Sequence, residues 1–197
     1  MDYQTKENIL IGHMAVPRSQ HKIQKMPDGR YLISGGFTGP QGNKTKITRR
    51  AEIFDPNTGE IKEVARMATA RAKHFSFPLP NGSIFVGGGV VGQNGSGMVS
   101  NLLEMLHFNT NTSEIYNPAT DSWYAGPNLP YPLAGTQKGV VPTTALRIFF
   151  GGMSDGELTD RVFSINTDDL SFMEWTPMLT KRAFFGKARA TTTSFLL

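Results

Sequence analysis

Apolar residues in this chain come in short runs, such as Tyr31-Leu32-Ile33, Ile84-Phe85-Val86 and Ile115-Tyr116, and glycine, proline, asparagine and aspartate punctuate them. Helical periodicity is almost absent. The clusters Pro27-Asp28-Gly29, Pro80-Asn81-Gly82, Asp55-Pro56-Asn57-Thr58-Gly59 and Asn117-Pro118-Ala119-Thr120-Asp121 are turn formers. The pattern predicts an all-β chain of short strands joined by tight turns.

The runs also repeat. Met14–Gly36 recurs without a gap as Met67–Gly89, with identities at Met14/Met67, Ala15/Ala68, Arg18/Arg71, His21/His74, Pro27/Pro80, Gly29/Gly82, Gly35/Gly88 and Gly36/Gly89. Unrelated segments of that length would share roughly one or two residues, so this is an internal repeat. A second block, Ala51–Gly59 (AEIFDPNTG), is matched by Ser113–Asp121 (SEIYNPATD) and aligned with Asp160–Asp168 (DRVFSINTD). From Phe54 to Met67 and from Tyr116 to Leu129 is 13 residues, and from Phe163 to Met178 is 15. Units therefore begin at Met14, Met67, Leu129 and Met178, in steps of 53, 62 and 49 residues. Four strands in a unit of about 50 residues is the period of a kelch-type propeller blade.

The Met-x-x-x-Arg-x-x-His start, the Pro-Asp-Gly turn, the Gly-Gly pair and Ala-Glu-Ile-Phe-Asp-Pro-Asn-Thr-Gly resemble the bacterial kelch repeats of galactose-oxidase-like propellers. The resemblance covers nearly the whole chain and implies one kelch β-propeller domain over residues 1–197. Its expected parts are an outer strand within residues 1–13, three full four-stranded antiparallel blades, and a partial blade from Met178. An incomplete or fragmentary propeller is the expectation, because kelch rings usually close with more blades. The third unit diverges most, with Leu133 at the arginine position. Trp123 and Trp175 follow the third-to-fourth-strand turns, and the resemblance implies that both pack between neighbouring blades.

Composition narrows the chemistry. With 39% hydrophobic residues and 21 glycines the chain can bury an ordinary core. The formal net charge is +4, but only Lys44, Lys46, Arg49 and Arg50 cluster, and a basic loop is a solvated surface, so no nucleic acid is expected as partner. Absence of cysteine removes disulfides, thiolate metal sites and the Tyr–Cys copper centre of galactose oxidases. No cofactor and no metal is expected. No run nears the ~18 apolar residues of a membrane span and the start lacks a signal-peptide pattern, so the expectation is a soluble chain, no membrane partner, and the cytoplasm by default. The sequons at Asn43, Asn81, Asn94 and Asn111 read as turn and loop residues rather than used glycosylation sites.

Up-and-down blades place the short turns at one end and the second-to-third-strand loops at the other. Those loops are Phe37–Thr48, Val90–Asn111 and the brief Met153–Leu158. Arg18, Arg71 and Arg182 fall at the same end, at the start of each innermost strand, with His21 and His74 further in, towards the channel. These five are the candidate ligand-binding residues: guanidinium groups ringing the channel mouth fork onto a carboxylate. The competing reading pairs each arginine with a carboxylate such as Glu52 or Glu114, to lock neighbouring blades. The two histidines lack a carboxylate at matching spacing, so no catalytic residue is assigned. The expected function is non-catalytic recognition of a protein or glycan through the loop face. Two alternatives stand beside it: a sugar-processing enzyme of the sialate mutarotase or epimerase type, and self-association with a second copy that completes the ring.

Overall fold

Asp28 and Asn81 fold their side chains back to accept the amides of Arg30 and Ser83, both at 3.0 Å, and so close the first hairpin of successive units. Asp55, Asn117 and Asn166 do the same for Asn57 (2.8 Å), Ala119 (2.9 Å) and Asp168 (3.0 Å) between the two outer strands. A computed structural model describes residues 10, 12–39, 46–91, 107–141 and 144–183, and the strand backbones 188–189 and 195–196.

The first unit contributes β1 (Arg18–Ser19), β2 (Lys22–Lys25), β3 (Tyr31–Ser34), β4 (Phe37–Thr38), β5 (Lys46–Ile47), β6 (Ala51–Phe54) and β7 (Ile61–Val64). The second holds β8 (Phe75–Pro78), β9 (Ile84–Gly87), β10 (Ser113–Asn117) and β11 (Ser122–Ala125). The third holds β12 (Gln137–Val140), β13 (Leu146–Ser154), β14 (Glu157–Asn166) and β15 (Phe172–Trp175), and β16 (Ala188–Arg189) with β17 (Phe195–Leu196) follows. Among the described residues there are three four-stranded sheets, β2-β3-β6-β7, β8-β9-β10-β11 and β12-β13-β14-β15, all antiparallel. These are the three full blades that the repeats imply. The β16–β17 pair opens the fourth: Gln24↔Leu32, Phe77↔Phe85 and Ala188↔Leu196 stand at the same offsets from Met14, Met67 and Met178. The small sheet β1-β4-β5 extends the first unit beyond its blade.

The third unit corrects the sequence alignment. Asn166 makes the same turn bonds as Asp55, receiving the amide of the residue four positions on (Leu170, Gly59) and donating to the carbonyl five positions on (Ser171, Glu60). Its equivalent of Ala51–Gly59 is therefore Val162–Leu170, two residues later than Asp160–Asp168. The step from Ile165 to Met178 is then 13 residues, as in the other units.

Blades stack through apolar faces. Leu32, Ile53 and Met67 meet Ile84, Val86 and Tyr116 between the first and second blades. Phe77, Phe85 and Ile115 meet Leu133, Phe149 and Phe163 between the second and third. Burying each such side chain contributes about 1.5–3 kcal/mol, so these two seams carry the fold. Trp123 lies in the first seam, packed on Tyr116 and donating its indole N–H to the Ala65 carbonyl at 2.7 Å. Trp175 does not have that role. The residue opposite Ile165, as Trp123 is opposite Tyr116, is Phe172, which packs into the second seam. Trp175 stands three residues further along β15, on the other face, is 45% exposed, and donates to Ser164 of its own blade.

Candidate functional site

Arg18 and Arg71 precede the innermost strands instead of starting them. Gln20 and Lys73 then turn the chain through left-handed backbone (φ 53° and 55°), and Gly135 stands at the corresponding place in the third unit (φ 65°). Their main chains join: the Lys73 amide donates to the Gln20 carbonyl and the Gly135 amide to the Lys73 carbonyl, both at 3.0 Å. This backbone chain runs past three successive blades at the loop end of their innermost strands.

The arginines pair with the carboxylates named above, but inside one blade and not between blades. The Arg18 guanidinium binds Glu52 and reaches the carbonyls of Arg50 (3.1 Å) and Gly35 (3.4 Å). Arg71 binds Glu114 at 2.8 Å, Gly88 O at 2.7 Å and Thr112 O at 3.1 Å. Glu114 also accepts the amides of Ala68 (2.6 Å) and Thr69 (3.1 Å), so the pair fastens the segment entering a blade onto that blade's third strand. Arg71 is fully buried. Burial lowers its pKa and the Glu114 carboxylate opposes that shift, as expected of a desolvated ion pair.

The link between blades is made by the arginine's main chain. The Gly36 amide donates to the Arg71 carbonyl at 2.9 Å, Gly89 to Leu133 at 2.7 Å, and Gly152 to Arg182 at 2.8 Å. Gly35 and Gly36 adopt φ of 61° and 104°, and a Cβ on Gly35 would collide with the Arg71 carbonyl oxygen. The glycine pair thus exists to admit the next unit's backbone. It also explains how leucine can replace arginine in the third unit: the inter-blade bond needs only its carbonyl. There the ion pair has become apolar, since Phe163 occupies the place of Glu114 and lies with Leu133 in one buried cluster. Pro130 replaces Ala68 and brings no amide to satisfy.

His74 is also fully buried. Its Nε2 lies 3.0 Å from the Ser34 hydroxyl, across the seam between the first two blades, so it faces a neighbouring blade and not the channel. Burial holds its imidazole well below the usual histidine value, and the Arg71 and Lys22 cations push the same way. His21 is half-buried, and burial and then Arg18 lower its pKa. Arg182 is half-buried, gives its carbonyl to Gly152 and donates from its guanidinium to Thr180. Arg18 and Arg71 are thus engaged with carboxylates of their own blades, His74 with Ser34 and Arg182 with Thr180.

One lysine of an innermost strand does reach across the blades. Lys138 on β12 extends its ammonium to the Ser76 carbonyl on β8 (2.5 Å) and to the Gln24 amide oxygen on β2 (3.3 Å), tying three blades together at their inner edges. Lys22 lies on the same face of β2 as Gln24, directed to the second blade, and Lys73 lies at the loop end of β8. All three are half-buried. Lys22 and Lys138 stand in the KIQK and QKGV runs, but a lysine on a short strand reads as a solvated residue until the strand is known to be innermost.

Four-stranded antiparallel blades stacked face to face, each turned at a glycine pair that receives the next unit, define a kelch-type β-propeller fold. Known proteins agree. The chain is 29% identical over 175 residues to Kelch repeat and BTB domain-containing protein 12 of Danio rerio, covering 82% of this chain and 25% of that protein. It is 26% identical over 129 residues to Kelch-like protein terF of Aspergillus terreus, covering 65% of this chain and 26% of that protein. The chain thus spans about a quarter of the length of these curated relatives. The solved structure of YjhT superposes with a TM-score of 0.67 at 19% identity, over 85% of this chain and 54% of that one. No family model matches the chain.

Proposed function

We propose that residues 1–197 form a single non-catalytic recognition domain that takes a protein or glycan partner on the loop end of its blades. The asymmetry of the two ends carries this reading. Among the described residues, the connections at one end include tight, self-bonded turns such as Asp28–Arg30 and Asn117–Ala119. At the other, the β1-β4-β5 sheet extends the first unit beyond its blade, and the connections 39–46 and 91–107 are long in sequence; residues 40–45 and 92–106 of these, with Asn43 and Asn94, lie outside the described residues. Long connections on a rigid scaffold are where recognition is placed. The likeness to kelch-repeat proteins supports a protein as the partner.

The test replaces residues 40–45 and 92–106 with short Gly-Ser links and uses both chains as bait for protein capture and on a glycan array. Equal melting with loss of a partner held by the parent chain is the expected result. Retention of every partner by the loop-replaced chain would refute the reading. Exchange NMR on free sugars separates it from sugar processing: catalysed anomer interconversion would favour the enzyme.

One observation favours self-association as a second reading. The outward faces of the first and third blades expose Ile23 (58%) and Met173 (58%), the kind of residue that the internal seams bury. A second copy covering them gives a dimer mass in light scattering, and a strict monomer at high concentration would exclude it.

A further inference from the structure

At the turn end, each of the two seams opens into a groove. In the first, Ile53 and its cross-strand partner Lys62 share the lining with Asp121 of the next blade. In the second, Ile115 and its partner Tyr124 share it with Leu170. The backbone fixes the equivalence, because Asp121 and Leu170 each stand four residues after the turn asparagine, with left-handed φ of 46° and 60°.

The grooves differ in what closes them. Asp121 accepts the Tyr116 hydroxyl and the Ala65 amide, both at 2.9 Å, and so draws the second blade onto the segment that follows β7. Leu170 offers no acceptor side chain and Ile165, in the place of Tyr116, no hydroxyl, so the second seam lacks a counterpart of this bridge. The first groove holds about 200 Å³ and the second about 380 Å³.

The second groove has the make-up of a small-molecule site, an apolar lining with a few polar groups at its edge. Leu79 and Ile115, both buried, line it, and Leu170 packs against the same core cluster. Tyr124 stands 45% exposed. Asn81 gives its side-chain oxygen to the Ser83 amide (3.0 Å) and retains its two N–H donors. The Asp168 carboxylate is exposed, and among the described residues its oxygens accept no hydrogen bond; the Arg147 cation lies within its electrostatic reach. The cation offsets the acid, so the groove combines a ring face, donors and acceptors with little net charge.

We propose that the second groove binds a neutral pyranose ring, whose C–H face lies on Tyr124 and whose hydroxyls bond Asp168 and Asn81. An aromatic ring is negative on its face, which attracts the weakly positive C–H groups of a sugar. Carboxylate and amide supply the acceptor and the donors that sugar hydroxyls need. A cationic ligand suits the groove less, since Arg147 opposes a second positive charge at Asp168. This site stands at the opposite end of the blades from the long connections, and so goes beyond recognition there.

The test is saturation-transfer NMR of the full chain, titrated with glucose, galactose and mannose, with their methyl glycosides, and with N-acetylarginine amide as the cationic comparison. The expected result is saturable binding of at least one sugar. Binding of a methyl glycoside, whose anomeric oxygen is blocked as in a glycosidic link, assigns a residue within a glycan; binding of the unblocked form alone assigns a free sugar. Tyr124→Ala should weaken binding about tenfold, as loss of an aromatic contact does. Tyr124→Phe should retain it, and Lys62→Ala, at the equivalent place in the first groove, should leave it unchanged. Asp168→Ala, at an exposed position, is the second variant should Tyr124→Ala melt early. Three results would overturn the site: transfer that saturates with no sugar, affinity equal in Tyr124→Ala, Asp168→Ala and the parent chain, or saturation by N-acetylarginine amide alone. The loop-replaced chain must keep the binding, so failure of the loop reading and failure of this one remain distinguishable.

Discussion

Across the boundary between the first and second blades the amide of Gly36 donates to the carbonyl of Arg71 at 2.9 Å, while the guanidinium of the same arginine is turned back into its own blade. One residue thus serves the seam with its backbone and the blade with its side chain. The two functions separate under mutation.

Arg71→Ala removes the guanidinium and strands Glu114 in a buried place. Breaking one partner out of such a pair costs about 3–5 kcal/mol. Arg18→Ala, which strands the fully buried Glu52, should behave alike, and Arg182→Ala, whose guanidinium reaches Thr180, should lose distinctly less. Urea unfolding of the three variants decides this; small and equal losses would remove the scaffold role and restore the arginines as ligand groups.

The third unit contains an apolar answer to the same problem. Transplanting it as Arg71→Leu, Glu114→Phe and Ala68→Pro exchanges the ion pair for packing and deletes an amide that Glu114 satisfies. The triple variant should lie within about 2 kcal/mol of the parent and clearly above Arg71→Ala, because well-packed apolar groups replace buried ion pairs at little cost. A triple variant less stable than Arg71→Ala would show that the two seams are not equivalent.

Gly36→Val and Gly89→Val should each cost about 2 kcal/mol or more. A Cβ at either would stand 2.7 Å from a backbone oxygen, of Ser19 or of Ala72, at a φ near +100° that valine resists. Thermal melts are sufficient, and parent-like melting in either would contradict the packing described for the glycine pair.

Stability should fall as pH drops below the ordinary histidine value of 6.5, because of His74. Its folded pKa is depressed, so between the two values the unfolded chain binds more protons than the folded one. The stabilisation is complete above that window and is lost downward through it, by at most about 1.4 kcal/mol per pH unit. Urea midpoints at about pH 7.5 and about pH 5 should differ less in His74→Gln than in the parent. An equal drop in both would place the pH sensitivity elsewhere.

Unit boundaries were legible because Met14, Met67 and Met178 stand at fixed distances from turns whose chemistry is local: an Asx residue bonds its neighbours wherever it occurs. The two-residue slip in the third unit arose because Phe163 matched Phe54 by side chain, while the true equivalence lies in turn bonds that Asn166 makes with the backbone. Glu52 and Glu114 were named as arginine partners from charge alone. Which blade each pair belongs to, and that His74 faces Ser34, depends on how blades stack, and no local pattern encodes it. That Lys138 spans three blades is hidden for the same reason.

The chain of bonds through Gln20, Lys73 and Gly135 is written entirely in main-chain atoms. Its geometry asks only that each position tolerate left-handed backbone, a condition that glycine and asparagine meet most easily and that glutamine and lysine meet here. The identity of each side chain on that rim is therefore decoupled from the integrity of the ring beneath it. Drift at these positions can rewrite what the rim presents, one blade at a time, without passing through a misfolded ancestor.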